Sequence, residues 1–183
     1  MDPGFLIFSV KKPIVSDNQD MESSKQPAPG NVPLEYSWHR LEDLRPDLLY
    51  DLLAMREAIF VVEQNCIYQE LDGLDKVAWH LLVRQGVDVI ACLRVLPPPA
   101  GKAGVRIGRV AVARKWRKQG VALAMMKLAI EKAGLDYPAN DIRLSAQTYL
   151  RGFYRSLGFR VCGKEFLEDG IPHVPMQLDA GSA

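Results

Sequence analysis

Cysteine is scarce in this chain: three residues, Cys66, Cys92 and Cys162, lie far apart in 183. An odd number at such spacing builds no disulfide framework, and no CxxC or Cys/His pattern offers a zinc site. All three sit among apolar neighbours and read as reduced core thiols of a cytoplasmic protein, with no metal expected. Net charge is lacking as well, since 23 Lys+Arg against 22 Asp+Glu leave +1. That balance gives no global case for binding nucleic acid. No apolar run approaches the roughly 18 residues that span a bilayer, so no membrane is expected as a partner. The cluster Phe5-Leu6-Ile7-Phe8 is too short for a signal segment and has no basic residue before it, so secretion is not expected. No GxxxxGK[ST] stretch is present, which removes a Walker-type nucleotide site.

What the chain does have is an ordinary globular composition, 48% hydrophobic and 25% charged, at a length suited to one domain. Residues 1–33 stand apart, rich in Pro, Ser, Asp, Gln and Lys, and read as a flexible tail. Met21 is a candidate for the true start, with residues 1–20 a leader. A single domain is expected over 34–183.

Within that domain a short strand at Glu35–His39 precedes a helix opened by Pro46, with Leu48, Leu49, Leu52, Leu53, Met55 and Ile59 on one face. Phe60–Asp75 is irregular and acidic. Strands at Ala78–Arg84 and Val87–Leu96 form a hairpin through Gln85-Gly86, with Val87, Val89, Ala91, Leu93 and Val95 sharing a face. Val105–Val112 is a fourth strand whose alternation slips at Gly108-Arg109, the mark of a β-bulge. A mostly apolar helix covers Val121–Lys132, ended by Gly134 and Pro138. Ile142–Gln147 is a fifth strand, Leu150–Leu157 a short helix, and strands at Phe159–Leu167 and Val174–Leu178 finish the chain. The order predicts an α/β (α+β) sheet of about six or seven strands wrapped by about four helices.

The most informative stretch is GRVAVARKWRKQGVALAMMKLAIEK, from Gly108 to Lys132. A strand, a basic turn, a glycine and a helix follow in order. Free N–H groups and positive charge then meet at a helix start, which suits a phosphate. Taken alone, the turn reads as readily as a solvated basic loop or a nucleic-acid patch as it does as a phosphate site. For nucleic acid it lacks interleaved stacking aromatics apart from Trp116.

Arg117-Lys118-Gln119-Gly120-Val121-Ala122 fits R/Q-x-x-G-x-G/A and resembles the coenzyme A loop of the GNAT superfamily of N-acyltransferases. Phe153-Tyr154-Arg155-Ser156-Leu157-Gly158-Phe159 is similar to that superfamily's FYxxxGF segment. Arg56–Gln64, Tyr68–Asp75 and Asp169–His173 resemble signatures of its ElaA-like branch, and the resemblance spans about residues 36–178. One departure is Ala122, where glycine is the roomier choice. The resemblance implies splayed strands four and five that bind acyl-CoA. The coenzyme would meet Val110, Ala111 and Val112 along the fourth strand, Arg117, Lys118, Gln119, Gly120, Val121 and Ala122 at the loop, and Gln147 on the fifth. Acetyl-CoA is then a co-substrate, Tyr154 the acid at the leaving thiolate, and the acceptor a small-molecule or peptide amine. A homodimer is an open assembly.

The amine must be neutral to attack, which calls for a base. Glu63, Glu70, His80 and His173 are the candidates; the two histidines lie opposite the obvious apolar faces and could line a cleft. The acidic run Glu63–Asp75 reads either as an attractor of a cationic acceptor or as a solvated loop. A module that binds acyl-CoA without turning it over is the competing class.

Overall fold

The computed structural model describes residues 32–101 and 104–181. The expected tail, Met21 and Phe5–Phe8 therefore lie outside the described residues, apart from Val32 and Pro33. Among the described residues eight strands form one sheet in the order β1-β2-β3-β4-β5-β8-β6, with β7 also paired to β8. They are β1 (Leu34–His39), β2 (Trp79–Gln85), β3 (Asp88–Leu96), β4 (Val105–Val112), β5 (Ile142–Gln147), β6 (Arg160–Val161), β7 (Phe166–Glu168) and β8 (Ile171–Leu178). All pairings are antiparallel except β4 with β5.

Three α-helices accompany the sheet among the described residues: α1 (Pro46–Glu57), α2 (Val121–Asp136) and α3 (Arg151–Ser156). Pro46 sits in the first turn of α1, where its missing N–H costs nothing. Leu52 and Ile59 bury against Leu82, Cys92 and Ala111 on one face of the sheet. Met125, Met126, Ala129, Tyr154 and Phe159 bury against Leu81, Ala91, Leu93, Val95 and Ile107 on the other. The period-2 alternation of β2 and β3 serves both faces, so these strands are apolar nearly throughout.

Five sequence expectations need correction. Helix α2 runs through Gly134 to Asp136, because buried residues along its length hold it against the sheet. It stops before Pro138, where Tyr137 leaves the helical region. Val87 lies in the hairpin turn beside Gly86 (φ +60°) and is exposed. The strand expected over Phe159–Leu167 is broken into β6 and β7. Between them Gly163 passes so close to Pro175 that a Cβ would stand 2.7 Å from its ring. Cys162 is exposed rather than in the core; Cys66 and Cys92 are buried as expected. The irregular stretch after α1 begins as a π-helix, Ala58–Glu63.

Two features of β4 prepare the site. Its pairing with β5 is confined to Val105↔Ile142 and Arg106↔Arg143, so the two strands part beyond that point. Against β3, Cys92 pairs with Ala111 and Arg94 with Gly108, leaving Arg109 and Val110 opposite Leu93 alone. The bulge expected at Gly108-Arg109 is thus present, with Arg109 at φ +51°.

Candidate active site

The basic turn folds as a short 3-10 helix, Arg114–Trp116, followed by Lys118 at φ +62° and Gly120 at φ +82°. Gly120 is the N-cap of α2 in a left-handed conformation that glycine adopts without penalty, and no side chain caps the helix. The first backbone bond of the helix runs from Ala124 N–H to Gly120 O at 3.0 Å. The N–H groups of Val121, Ala122 and Leu123 therefore remain for another acceptor, with the positive end of the helix dipole behind them. The space beyond Gly120 is open, since a Cβ there would meet nothing within 4 Å. Arg114, Lys115, Lys118 and Gln119 are exposed around it, and the Gln119 side-chain amide donates to Lys115 O at 2.7 Å.

Arg117 behaves differently from its neighbours. Its Nε–H donates to Val112 O at 2.9 Å, and its other nitrogens donate to both carboxylate oxygens of Glu63 at 2.6 and 2.8 Å. It braces the exit of β4 rather than standing free. The hydrogen bond from Arg117 in turn holds the Glu63 carboxyl below its ordinary range.

Along the parting strands, Ala111 is buried while Val110 and Val112 are half-buried, leaving a backbone edge without a partner strand on the β5 side. At the far end of β5, the Gln147 side chain donates to Gln64 Oε1 at 3.2 Å. Tyr154, on α3 just beyond, is 6% exposed and packs edge-on against Phe153 and Phe159. Its hydroxyl is not among the polar atoms sealed in the interior without a partner. Burial pushes this phenol up to about 12, so it stays protonated at any physiological pH.

The acidic stretch is largely exposed along its length, but its carboxylates are paired with arginines rather than free. Arg56, 1% exposed, donates to both oxygens of Glu70 (2.8 and 2.9 Å) and of Asp75 (2.8 and 3.1 Å). Arg94 of β3 donates to both oxygens of Asp72 and, at 2.9 Å, to Asp75. Arg109, at the bulge, donates to Glu70 Oε1 at 2.7 Å and to Glu70 O at 3.0 Å. Three guanidiniums balance three carboxylates. Hydrogen bonding to Arg94 holds Asp72 well below its usual range. Burial pushes Asp75 up, but the guanidiniums of Arg56 and Arg94 outweigh it and leave the carboxyl lowered.

Sequence reasoning missed Arg56, Arg94 and Arg109, although a signal existed. Arg56 falls at i+4 from Leu52 and i−3 from Ile59, on the apolar stripe of α1, where a charge demands buried counter-ions.

The histidines separate clearly. His80 is 1% exposed, with Nε2 3.1 Å from Asp75 O under the ion cluster, and burial lowers its basicity. His173 lies beside Gln147 in the β5–β8 ladder, with Nδ1 2.8 Å from Ile171 O. A carbonyl only accepts, so Nδ1 carries a proton, and the tautomer that this contact selects places its lone pair on Nε2. That nitrogen is 3.9 Å from Glu168 and the ring faces Phe166.

Residues 62–180 match the family described as "Acetyltransferase (GNAT) domain". The chain belongs to the GNAT acetyltransferase family. A UPF0039 protein of Schizosaccharomyces pombe is 38% identical over 148 residues, 80% of this chain and 97% of the relative. Among solved structures, Escherichia coli ElaA matches with a TM-score of 0.77 and 34% identity, covering 80% of this chain and 100% of its own. An acyl-CoA N-acyltransferase from Pseudomonas aeruginosa matches at 0.76 and 37%, covering 80% and 99%. The ElaA-like resemblance read from Arg56–Gln64 and Tyr68–Asp75 therefore holds over most of this GNAT enzyme's length.

Proposed function

We propose that residues 34–183 form one N-acetyltransferase domain that moves an acetyl group from acetyl-CoA to a primary amine by direct attack in a ternary complex. The observation that carries this reading is the parting of β4 from β5 between two chemical landmarks, the uncapped start of α2 at Gly120 and the phenol of Tyr154. The N–H groups of Val121 and Ala122, with Lys118 and Gln119 beside them, hold the pyrophosphate. The free edge of Val110, Ala111 and Val112 pairs with the pantetheine amides as an added strand would. A backbone N–H there steadies the thioester oxygen as it gains charge.

His173 Nε2 accepts the proton of the attacking amine; Glu63, neutralised by Arg117, and His80, 1% exposed under the ion cluster against 9% for His173, are poorer bases. As the carbon–sulfur bond breaks, Tyr154 donates a hydrogen bond to the leaving thiolate. A thiol near 8.5 and a phenol near 12 differ by about 5 kcal/mol, which favours hydrogen bonding over full ionisation of the tyrosine. Glu70, Asp72 and Asp75 are spent on internal arginines. The pull of a free acidic patch on a polycationic acceptor is therefore missing from this stretch.

The test is acetyl-CoA-dependent thiol release across small amines, polyamines, aminoglycosides and peptides, with Tyr154→Phe alongside. The variant is expected to lose about 10²-fold in kcat while binding acetyl-CoA nearly unchanged. Unchanged kcat removes Tyr154 from the step. Coenzyme binding without thiol release from any amine would leave a binding module.

A further inference from the structure

The bulge of β4 has an unusual occupant. Arg109 is a long, charged residue at φ +51°, a region that L side chains seldom enter without being held there. Glycine would take that conformation freely, and Gly108 stands one position away. The side chain shows what holds it. Its guanidinium grips the Glu70 carboxylate at 2.7 Å, the Glu70 carbonyl at 3.0 Å and Asp72 at 3.4 Å, and it lies over the rings of Phe60 and Tyr68.

Glu70 and Asp72 are themselves immobilised from the opposite side by Arg56 and Arg94. The strained backbone is thus bolted to a buried, charge-balanced frame that joins α1, β3 and the 70–75 loop. Arg109 stands directly before the free edge: Val110 follows it, then Ala111 and Val112. A second fastening acts at the other end of that edge, where Arg117 ties Val112 O to Glu63 of the π-helix.

We propose that Arg109 is a positioning residue for the acyl donor, and that Glu70 and Asp72 are its anchors. Their ion pairs fix the bulge and thereby set the line of the Val110–Val112 backbone along the opening between β4 and β5. Arg109 acts through the strand and makes no contact with the reacting atoms. The frame takes the place of a partner strand, since β5 has already left and cannot hold β4 in line. This inference rests on the donor role of β4 proposed above.

The experiment measures CoA and acetyl-CoA affinity by titration calorimetry for wild type, Arg109→Ala, Arg109→Lys and Glu70→Gln. Amide hydrogen exchange is recorded on the same ligand-free proteins. Arg109→Ala is expected to weaken acetyl-CoA binding roughly tenfold, the loss of one charge-assisted anchor. Exchange at Val110–Val112 should quicken while that of Leu93 and Leu144 holds, and Arg109→Lys should recover part of both effects. Glu70→Gln, which keeps an acceptor for Arg56, should show the same local pattern more weakly and serves if Arg109→Ala does not fold. Wild-type affinity in the folded variants, or exchange quickened evenly across the sheet, overturns the proposal. A wild-type protein that binds no CoA overturns the donor reading, and this inference with it.

Discussion

The basic turn at Arg114–Lys118 and the acidic run at Glu63–Asp75 look alike as sequence, each a charged loop after an apolar segment. In the fold they have opposite fates. Arg114, Lys115 and Lys118 stay exposed around a helix start, while Glu70 and Asp75 are drawn inside and consumed by Arg56, Arg94 and Arg109. The difference teaches that a charged run acts outward only where the rest of the chain supplies no buried counter-charge. Arg117 marks the boundary, since it sits in the basic turn but is spent on Glu63.

Breaking each region separately should expose that contrast. The largest effect is expected from Gly120→Glu, which forces a side chain into φ +82° and sets a carboxylate at the proposed pyrophosphate site. CoA binding should vanish in calorimetry while circular dichroism remains native; retained affinity would refute the loop assignment. In the acidic region the loss should instead be one of stability. Arg56→Leu strands Glu70 and Asp75 without their inner partner, and urea unfolding should show a cost of about 3–5 kcal/mol. A cost near zero would mean the frame is far less dry than its burial indicates.

Acid should find the same region. Asp72, Asp75 and Glu63 have lowered folded values, so their stabilisation is complete above the ordinary carboxyl range. It is lost as pH falls through the lower folded values. Urea midpoints should hold down to about pH 5 and decline progressively below it. The smallest effect belongs to the exposed turn. Lys118→Ala should weaken CoA binding only by a factor of about two to five, with a shallower salt dependence and unchanged stability. A larger loss would show that Lys118 does more than supply charge.

How much can be read in advance follows the same division. The strand–turn–helix around Gly120 and the FYRSLGF helix are contiguous, and their chemistry depends on neighbours within a few positions. The bulge too is visible, as a slip in alternation between Ile107 and Val110. By contrast the bonds that settle the acidic run cross long stretches of chain, from Arg109 to Glu70, from Arg117 to Glu63 and from Gln147 to Gln64. Nothing local to Glu70 announces Arg109 thirty-nine positions later. Arg56 is the one legible clue, a charge on the buried stripe of α1.

By itself, then, the sequence determined the order of the strands and helices from β1 to α3, the glycine start of α2 and the placing of Tyr154 on its short helix, because short-range sterics and periodicity govern these. Only the tertiary structure decided which charges face outward, which histidine packs under the ion cluster and where β4 parts from β5. Burial and ion pairing are properties of the surroundings, and those surroundings exist only once distant segments have packed together.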